Sequence, residues 1–226
     1  MSVRAVVFDY FGTLTPTVVT MITAEEQAAL GAALGVDPQV FEEAWRASFV
    51  ERSTGRTGDM VATLRLLCER VGVAPSEDGL AEAARIRAGA YRRSATPRAE
   101  TVDVLRELRR RGLRIAVVSD CSDELVAVWP SSPVAELVDT TVFSAVVGRR
   151  KPDPVMYRSA CVGLGVAASE CVYVGDGGSG ELTGAVRFGM RAVLLADAEW
   201  AVGHRYDADE WDGEVIHQLG DVVSLV

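Results

Sequence analysis

The chain has 226 residues, of which 49% are hydrophobic and 24% are charged. A chain of this length buries roughly 70% of the surface that it exposes when unfolded, so a sizeable core is expected and disorder is excluded as the main state. The 23 basic and 32 acidic residues give a net charge of -9. This charge disfavours a general binder of nucleic acid backbones, and a small anionic ligand would need local positive charge or a metal ion.

The four cysteines, Cys68, Cys121, Cys161 and Cys171, show no Cys-x-x-Cys spacing. They are predicted to be reduced and mostly buried rather than paired or bound to zinc. The first apolar run ends at Asp9, and no stretch approaches the ~20 apolar residues of a membrane span. We therefore expect a cytoplasmic protein with no membrane or nucleic acid partner.

The first predicted element is a buried strand over Val3–Phe8, which ends at Asp9 and a turn that contains Gly12. The next stretch carries helix signals only. These signals are a capping box at Thr23-Ala24-Glu25-Glu26, an N-cap followed by proline at Asp37-Pro38, and two helical segments over Gly58–Val71 and Ser76–Tyr91. Residues 16–91 contain no convincing strand, so we predict a helical insertion there.

From Pro97 onwards, helices and strands alternate. The predicted helices are Ala99–Arg111, Asp123–Trp129, Pro154–Leu164 and Glu181–Phe188. The predicted strands are Leu113–Val118, Thr141–Val146, Cys171–Val174 and Ala192–Leu195, with a short last strand near Val215. Such alternation predicts right-handed crossovers and a parallel sheet covered on both faces. The expected fold class is therefore α/β, a doubly wound parallel sheet made by residues 1–15 and 92–226, with an inserted all-helical domain over residues 16–91.

Polar motifs follow four of the predicted strands. They are Asp9-Tyr10-Phe11-Gly12-Thr13-Leu14, Ser119-Asp120, Lys151-Pro152-Asp153-Pro154, and Gly175-Asp176 with Glu181 behind it. The carboxyl ends of the strands in an open parallel sheet form the ligand crevice, so these motifs converge although they lie far apart in sequence. They are predicted to make one site.

The motifs, in this order and at these intervals, resemble those of the haloacid dehalogenase superfamily, whose members are mostly phosphatases. The resemblance covers nearly the whole chain and implies that residues 16–91 form a helical cap over the site. It implies that Asp9 is the nucleophile, Ser119 a hydrogen-bond donor to the phosphate, Lys151 the positive clamp and Asp176 a magnesium ligand. It also implies that Phe11 binds the metal through its backbone carbonyl.

The chemistry of these residue types agrees with the resemblance. A carboxylate can attack phosphorus and form an aspartyl-phosphate, and a lysine can stabilise the negative charge that develops on the transferring group. Glu181 is expected either to bind Mg²⁺ through water or only to favour the helix dipole. Arg52 and Arg56, in a loop of the insertion, can grip a carboxylate or phosphate, although a solvated surface loop fits them equally well. The expected site residues are Asp9, Ser119 and Lys151 for catalysis, Thr13, Asp120, Arg52 and Arg56 for substrate binding, and Asp9, Phe11, Asp176 and Glu181 for Mg²⁺.

One departure from the family pattern concerns Phe11. The family's phosphatases have an aspartate there that serves as general acid, and such help is worth ~10²–10⁴-fold. Alkyl phosphate esters should then be poor substrates. True haloacid dehalogenases also lack an acid at this position, because a departing halide needs no proton. Asp176 argues against a dehalogenase, since Asp9 and Asp176 would repel one another without a cation such as Mg²⁺.

Three functions therefore remain open. The leading hypothesis is an Mg²⁺-dependent phosphatase that acts through an aspartyl intermediate on a small phosphorylated metabolite with a good leaving group. The second is a metal-independent dehalogenase of small 2-halo acids. The third is a degenerate member that binds a ligand without turnover, and an enzyme is favoured over it because Asp9, Lys151 and Asp176 are all present. The expected partner is a small-molecule substrate, and the expected state is a monomer or a homodimer.

Overall fold

A six-stranded parallel sheet forms the centre of the protein. The computed structural model describes residues 2–17, 21–202 and 205–226. The strands are β1 (Ala5–Phe8), β2 (Arg114–Ser119), β3 (Thr140–Phe143), β4 (Cys171–Gly175), β5 (Arg191–Leu195) and β6 (Glu214–Ile216). They lie in the order β3-β2-β1-β4-β5-β6, and every neighbouring pair is parallel. The predicted doubly wound α/β sheet is confirmed.

Strand β1 is hydrophobic at every position, and all of its residues are buried. It pairs with β2, where Ala5 lies opposite Arg114, and with β4, where Ala5 lies opposite Cys171. A strand covered on both faces needs no polar alternation, because helices shield either side of the sheet from water. This explains why the run Ala5-Val6-Val7-Phe8 shows no period of two in its hydrophobicity.

Ten α-helices accompany the sheet in the described part of the chain. They are α1 (Ala24–Leu34), α2 (Pro38–Ala47), α3 (Phe49–Arg52), α4 (Met60–Arg70), α5 (Glu77–Ser94), α6 (Thr101–Arg110), α7 (Asp123–Val128), α8 (Ser144–Val147), α9 (Pro154–Leu164) and α10 (Glu181–Phe188). Successive strand residues face opposite sides of the sheet. Phe8 therefore packs in the same cluster as Leu105 of α6, whereas Val7 packs in the cluster of Met156 in α9 and Leu182 in α10.

Helices α1, α2, α4 and α5 pack around a separate hydrophobic cluster that includes Leu30, Phe41, Leu64 and Leu80, and α3 follows α2 directly in the same insertion. The predicted capping box is confirmed, because the Glu26 amide donates to Thr23 Oγ1 at 3.2 Å and the Thr23 amide donates to Glu26 Oε2 at 3.0 Å. Asp37 likewise caps α2 through the amides of Gln39 and Val40, with Pro38 in the first turn. We call these five helices and their loops the cap, and the remainder of the fold the core.

The predicted strand over Thr141–Val146 is wrong beyond Phe143. The chain turns there into the short helix α8, whose Ser144 hydroxyl accepts from the Cys121 amide at 2.9 Å. Gly148 ends this helix in a left-handed conformation with φ of 73°. The prediction carried the strand to Val146, but the side chain of Val146 is exposed. The hydroxyl bond to the neighbouring chain segment overrides the local β propensity.

Two helix bounds in the cap also differ from the prediction. Helix α4 begins at Met60, because the Asp59 carboxylate accepts from the Ala62 amide at 2.9 Å and caps the first turn. Helix α5 continues past Tyr91 to Ser94. All four cysteines are free and buried, as predicted. Within residues 2–17, 21–202 and 205–226, no helix combines the length and the apolar character of a membrane-spanning segment.

The strand order reverses beside β1. Strands β2 and β3 continue the sheet on one side of it, whereas β4, β5 and β6 continue it on the other. The crossover connections diverge at such a point and leave a crevice at the carboxyl ends of the strands. Asp9 follows β1 and Asp176 follows β4, so the fold places both carboxylates at this crevice.

Candidate active site

Asp9 is held at the end of β1 by bonds to both its backbone and its side chain. Its amide donates to the Val174 carbonyl at 2.9 Å, which continues the pairing of β1 with β4. Lys151 Nζ lies 2.6 Å from Asp9 Oδ1, and Thr13 Oγ1 donates to Asp9 Oδ2 at 3.3 Å. The carboxylate is buried and its orientation is fixed, as a nucleophile requires. Thr13, which we expected to bind substrate, contacts the Asp9 side chain itself.

Lys151 bridges two carboxylates and is positioned by a third. Its Nζ also lies 2.5 Å from Glu181 Oε2, and its backbone amide donates to Asp120 Oδ1 at 2.9 Å. Asp120 in turn pairs with Arg150 Nε at 3.2 Å. The structure therefore places Asp120, which we expected to bind substrate, as a support for the backbone of Lys151.

Asp176 approaches the turn after Asp9 closely. A Cβ atom at Gly12 would lie 2.6 Å from Asp176 Oδ2, so only glycine permits this approach, and the φ of 78° at Gly12 favours glycine as well. Carboxylate oxygens of Asp9, Asp176 and Glu181 all lie within 4.8 Å of one another. The sheet thus brings together the predicted acidic residues from β1, from β4 and from the start of α10.

Glu181 is fully buried, and its oxygens already have partners. Besides Lys151, Tyr173 donates its hydroxyl to Glu181 Oε2 at 2.8 Å and the Gly177 amide donates to Oε1 at 3.0 Å. These contacts anchor the turn after β4 and the lysine. Glu181 therefore connects three separate parts of the site. We expected it to bind Mg²⁺ through water or to favour the helix dipole, and neither expectation included this connecting role.

The cluster carries more negative than positive charge. Burial raises the pKa of Asp9 and of Glu181 above their ordinary values, although Lys151 opposes both shifts. Burial and the charge of Asp9 raise the pKa of Asp176 to about 6. Burial alone would lower the pKa of Lys151, but the carboxylates around it raise that pKa well above its ordinary value. Three carboxylates and one ammonium group leave a net negative charge, which suits a divalent cation with oxygen ligands. Asp9 and Asp176 would hold such a cation.

Ser119 ends β2 with its hydroxyl buried and without a hydrogen-bond partner in the described part of the chain. A buried hydroxyl normally has a partner, because leaving one unpaired costs free energy. The orphaned Oγ at the carboxyl end of the sheet fits the predicted donor to an anionic substrate group.

Aromatic rings surround the position where the family's phosphatases have an acid. The ring of Phe11 meets Tyr10 edge to face at 5.2 Å and Tyr91 edge to face at 5.7 Å. Burial raises the pKa of the Tyr91 phenol well above its ordinary value, so it stays neutral at physiological pH. Sequence reasoning missed Tyr91 as a neighbour of Phe11, because the sequence marked Tyr91 only as the end of a predicted helix.

The two arginines expected to bind substrate occupy different places. Arg52 is buried, donates to Ser48 Oγ at 2.9 Å and lies 3.9 Å from the ring centre of Trp45. Burial lowers its pKa to about 10, which still leaves it charged at neutral pH. Arg56 is exposed, and its Nε donates to Thr54 Oγ1 at 3.0 Å. Arg52 lines a small cavity between cap and core, whereas Arg56 lines a separate surface groove.

Three charged residues near the site were not predicted. Arg87 of α5 and Glu124 of α7 form a buried ion pair at 3.5 Å between cap and core. Arg150 holds Asp120 and also donates to Ser179 Oγ at 3.3 Å. Its place directly before Lys151 was the one signal in the sequence. Nothing comparable marks Arg87, because isolated arginines on an amphipathic helix are usually solvated.

Comparison with known proteins gives the family. The chain matches the haloacid dehalogenase-like hydrolase model over residues 3–189. It is 29% identical over 207 residues to (S)-2-haloacid dehalogenase 4A of Burkholderia cepacia, covering 86% of this chain and 83% of the relative. It is 26% identical over 228 residues to glyceraldehyde 3-phosphate phosphatase of Methanopyrus kandleri, covering 98% and 97%. The solved structure of L-2-haloacid dehalogenase from Xanthobacter autotrophicus is similar with a TM-score of 0.65 at 25% identity, covering 99% of this chain and 98% of that chain.

The family match spans most of the chain, including the turn after β1, the Lys151 loop and the turn after β4. The neighbouring solved structure has the same fold along its whole length. The chain therefore belongs to the haloacid dehalogenase-like hydrolase family and is a hydrolase.

Proposed function

We propose that the protein is an Mg²⁺-dependent phosphatase of small phosphorylated metabolites with good leaving groups. The observation that carries this proposal is the buried Asp176 beside Asp9, with Lys151 as the sole ammonium group of the cluster. A metal-independent nucleophile would be weakened by this second carboxylate, because repulsion favours protonation of one of the pair. A divalent cation removes that conflict and supplies charge stabilisation for the phosphoryl group.

The chain's own residues define the first chemical step. Asp9 attacks phosphorus through a carboxylate oxygen, the bond from phosphorus to the leaving oxygen breaks, and an aspartyl-phosphate forms. Lys151 holds Asp9 in position and offers positive charge to the transferring group, while Ser119 donates to one of its oxygens. In the second step water attacks the aspartyl-phosphate, which releases phosphate and restores the Asp9 carboxylate.

The leaving group must depart without help from residue 11. Phe11 has no proton to give, and the neutral Tyr91 phenol beside it has a pKa far above the pH of the assay. Aryl and acyl phosphates, whose leaving oxygens are weak bases, are therefore the favoured substrates. Sugar and alkyl phosphates would need a proton donor for the leaving oxygen, and Phe11 does not provide one.

A second candidate function is dehalogenation of small 2-halo acids. It is favoured by the aromatic side chain of Phe11 and by the similarity to (S)-2-haloacid dehalogenase 4A. In this reaction Asp9 attacks the halogen-bearing carbon, halide leaves without a proton, and water hydrolyses the resulting ester. Ser119 and Lys151 would then bind the carboxylate of the substrate.

The test is a substrate panel measured with Mg²⁺ and with a chelator. It contains p-nitrophenyl phosphate, acetyl phosphate, a primary alkyl phosphate and 2-chloropropionate. The proposal expects turnover of the aryl and acyl phosphates that the chelator abolishes. Chloride release that persists in chelator would instead establish the dehalogenase. The absence of turnover on every substrate, with the fold intact, would leave the non-catalytic member as the remaining hypothesis.

A further inference from the structure

A ring from the cap inserts between two residues of the core. Phe49, at the start of α3, stacks on Tyr206 with ring centres 4.2 Å apart and an interplanar angle of 13°. The guanidinium carbon of Arg150 lies 4.7 Å from the centre of the same Phe49 ring. Cation–π and stacking contacts of this kind favour one defined position of the ring. We call this arrangement of Arg150, Phe49 and Tyr206 the clamp.

On one side of the clamp, Arg150 is connected to Asp9 through a series of hydrogen bonds and ion pairs. Arg150 Nε pairs with Asp120 Oδ2 at 3.2 Å, and Asp120 Oδ1 accepts from the Lys151 amide at 2.9 Å. Lys151 Nζ then reaches Asp9 Oδ1 at 2.6 Å. The side chains of Arg150 and Asp120 are largely buried, so water screens these interactions little. Displacement of Arg150 would therefore shift the backbone of Lys151.

On the other side of the clamp, the backbone at Tyr206 is hydrogen-bonded to the turn after Asp176. The Ser179 amide donates to the Tyr206 carbonyl at 2.6 Å, and the Gly180 amide donates to the Asp207 carbonyl at 2.8 Å. Ser179 has a φ of 58°, a left-handed conformation that a serine adopts only when its surroundings hold it there. Arg150 Nη2 also donates to Ser179 Oγ at 3.3 Å, so both outer members of the clamp hold this turn.

We propose that Phe49 is a positioning residue that couples docking of the cap to the geometry of the Lys151 loop and of the turn after Asp176. Removal of the ring removes the contact that Arg150 and Tyr206 share with the cap, and both of these residues hold the left-handed Ser179. The cap therefore assists the reaction through a residue that acts on Asp9 by way of Arg150 and on Ser179 by way of Tyr206. The consequence for catalysis rests on the proposed function, whereas the structural coupling does not.

The first test measures amide hydrogen exchange in the turn, with Phe49→Ala against Val50→Ala as the matched control. Val50 is the next residue of α3 and is exposed, so its truncation perturbs the same helix but leaves the clamp. We expect exchange at Ser179 and Gly180 to accelerate about 3- to 30-fold in Phe49→Ala. This factor corresponds to the free energy that one cation–π contact contributes. Exchange at Val6 and Val7 of β1 serves as the internal reference for global opening.

Two outcomes of this test overturn the proposal. Unchanged exchange at Ser179 and Gly180 in Phe49→Ala means that the ring only packs the cap. Equal acceleration in Val50→Ala, or acceleration that β1 shares, means that the effect is loss of stability. Phe49→Tyr keeps the ring and is expected to restore slow exchange, and Phe49→Leu keeps apolar volume without the aromatic face and is expected to remain fast. The result holds whether or not the protein proves to be a phosphatase.

The second test is kinetic and uses the aryl phosphate of the substrate panel. We expect Phe49→Ala to lower kcat about 3- to 30-fold, with a smaller change in KM, because the moved groups act on the reacting atoms. In an Arg150→Gln background the same substitution should cost less, since the path through Arg150 is already broken. Independent, multiplying effects of the two substitutions would contradict coupling through Arg150.

Discussion

Several residues around Asp9 together position its carboxylate. One oxygen meets the ammonium of Lys151 and the other meets the hydroxyl of Thr13, while the Val174 carbonyl fixes the backbone. Each contact comes from a different element, so the carboxylate has little freedom to rotate. In the reaction that we propose, such restriction lowers the entropy that Asp9 would otherwise lose on reaching the transition state.

Asp9→Asn should eliminate turnover, because an amide is a far weaker nucleophile than a carboxylate of the same shape. We expect a loss of at least about 10⁴-fold in kcat on whichever substrate of the panel proves active. Asp139→Asn is the control, since Asp139 pairs with Arg109 at the surface. Turnover near the wild-type rate in a purified Asp9→Asn sample, shown by mass spectrometry to be free of deamidation, would refute the covalent mechanism.

Phe11→Asp should raise the rate on alkyl phosphates selectively. A carboxyl group at this position can protonate the leaving oxygen, so the gain on an alkyl ester reaches up to about 10²–10⁴-fold, whereas aryl phosphates gain little. The substitution also removes the edge-to-face contacts with Tyr10 and Tyr91, each worth about 0.5–1.5 kcal/mol, so thermal unfolding must be measured alongside the kinetics.

Phe11→Asn is the matched control for that experiment. It has the shape of aspartate and loses the same aromatic contacts, but it cannot transfer a proton. An equal gain in both variants would mean that space, rather than acid catalysis, limits the alkyl substrates. If the wild type hydrolyses alkyl and aryl phosphates at equal rates, another residue already supplies the proton and Phe11 does not limit the choice of substrate.

At the scale of elements, the turn after β4 is where a metal ion would affect stability. The pKa of Asp176 is raised from 3.8 to about 6 in the folded chain, chiefly by burial and by the charge of Asp9. Its contribution to stability is therefore fully present below pH ~3.8 and is lost as the pH rises through ~6, where the folded chain must release this proton. A bound cation would offset that loss, because it stabilises the ionised form.

Mg²⁺ should accordingly raise the melting temperature at a pH of about 7.5 by about 5–10 °C, at a concentration about 100 times its Kd. At a pH of about 5 and the same Mg²⁺ concentration the shift should fall to about half, because Asp176 is then mostly protonated and binding must displace its proton, which weakens binding about tenfold. Differential scanning fluorimetry with Mg²⁺ or chelator measures this. Asp176→Asn should abolish the shift at both pH values, and a wild-type melting temperature indifferent to Mg²⁺ would favour the dehalogenase.

The elements that could be predicted from sequence are those whose signals are local. A buried apolar run gives β1, and side-chain caps at Thr23 and Asp37 give the starts of α1 and α2. Convergence of Asp9, Lys151 and Asp176 followed from their places after parallel strands. Helix α8 could not be predicted, because the bond that ends β3 comes from Cys121, which is distant in sequence.

The same limit explains the residues of the cap that behaved unexpectedly. Arg52 and Arg56 are close in sequence, but the end of α3 buries one and leaves the other exposed. Partners such as Trp45 for Arg52, or Tyr206 for Phe49, are chosen by tertiary packing and leave no periodic trace in the sequence. Motif spacing locates the reactive groups, whereas the contacts that support them require the assembled fold.

At the scale of the whole molecule, cap and core share a buried ion pair. Arg87 Nη2 lies 3.5 Å from Glu124 Oε1, which accepts no hydrogen bond from the residues that the structure describes, while Glu124 Oε2 accepts from Ser122 Oγ at 2.9 Å. Glu124→Gln should lower the free energy of unfolding by about 3 kcal/mol, because it leaves the guanidinium of Arg87 buried without a counter-charge. Urea denaturation measures the change.

Glu136→Gln, at an exposed position, is the control for this prediction and should change stability by less than about 0.5 kcal/mol. The double variant Arg87→Met with Glu124→Leu removes both charges and should recover most of the lost stability. An equally large loss in the double variant would show that packing volume, rather than charge pairing, is what this contact contributes.

The central position of β1 has a consequence for synthesis of the chain on the ribosome. This strand is made first, yet its two neighbours in the sheet begin at Arg114 and Cys171. At about 5–20 residues per second, the nascent apolar segment waits roughly 5–20 s for its first neighbour and longer for its second. During that interval both of its edges can pair with other chains. A chain truncated before β4 would keep one such edge open permanently and is expected to aggregate, even though it contains the whole cap.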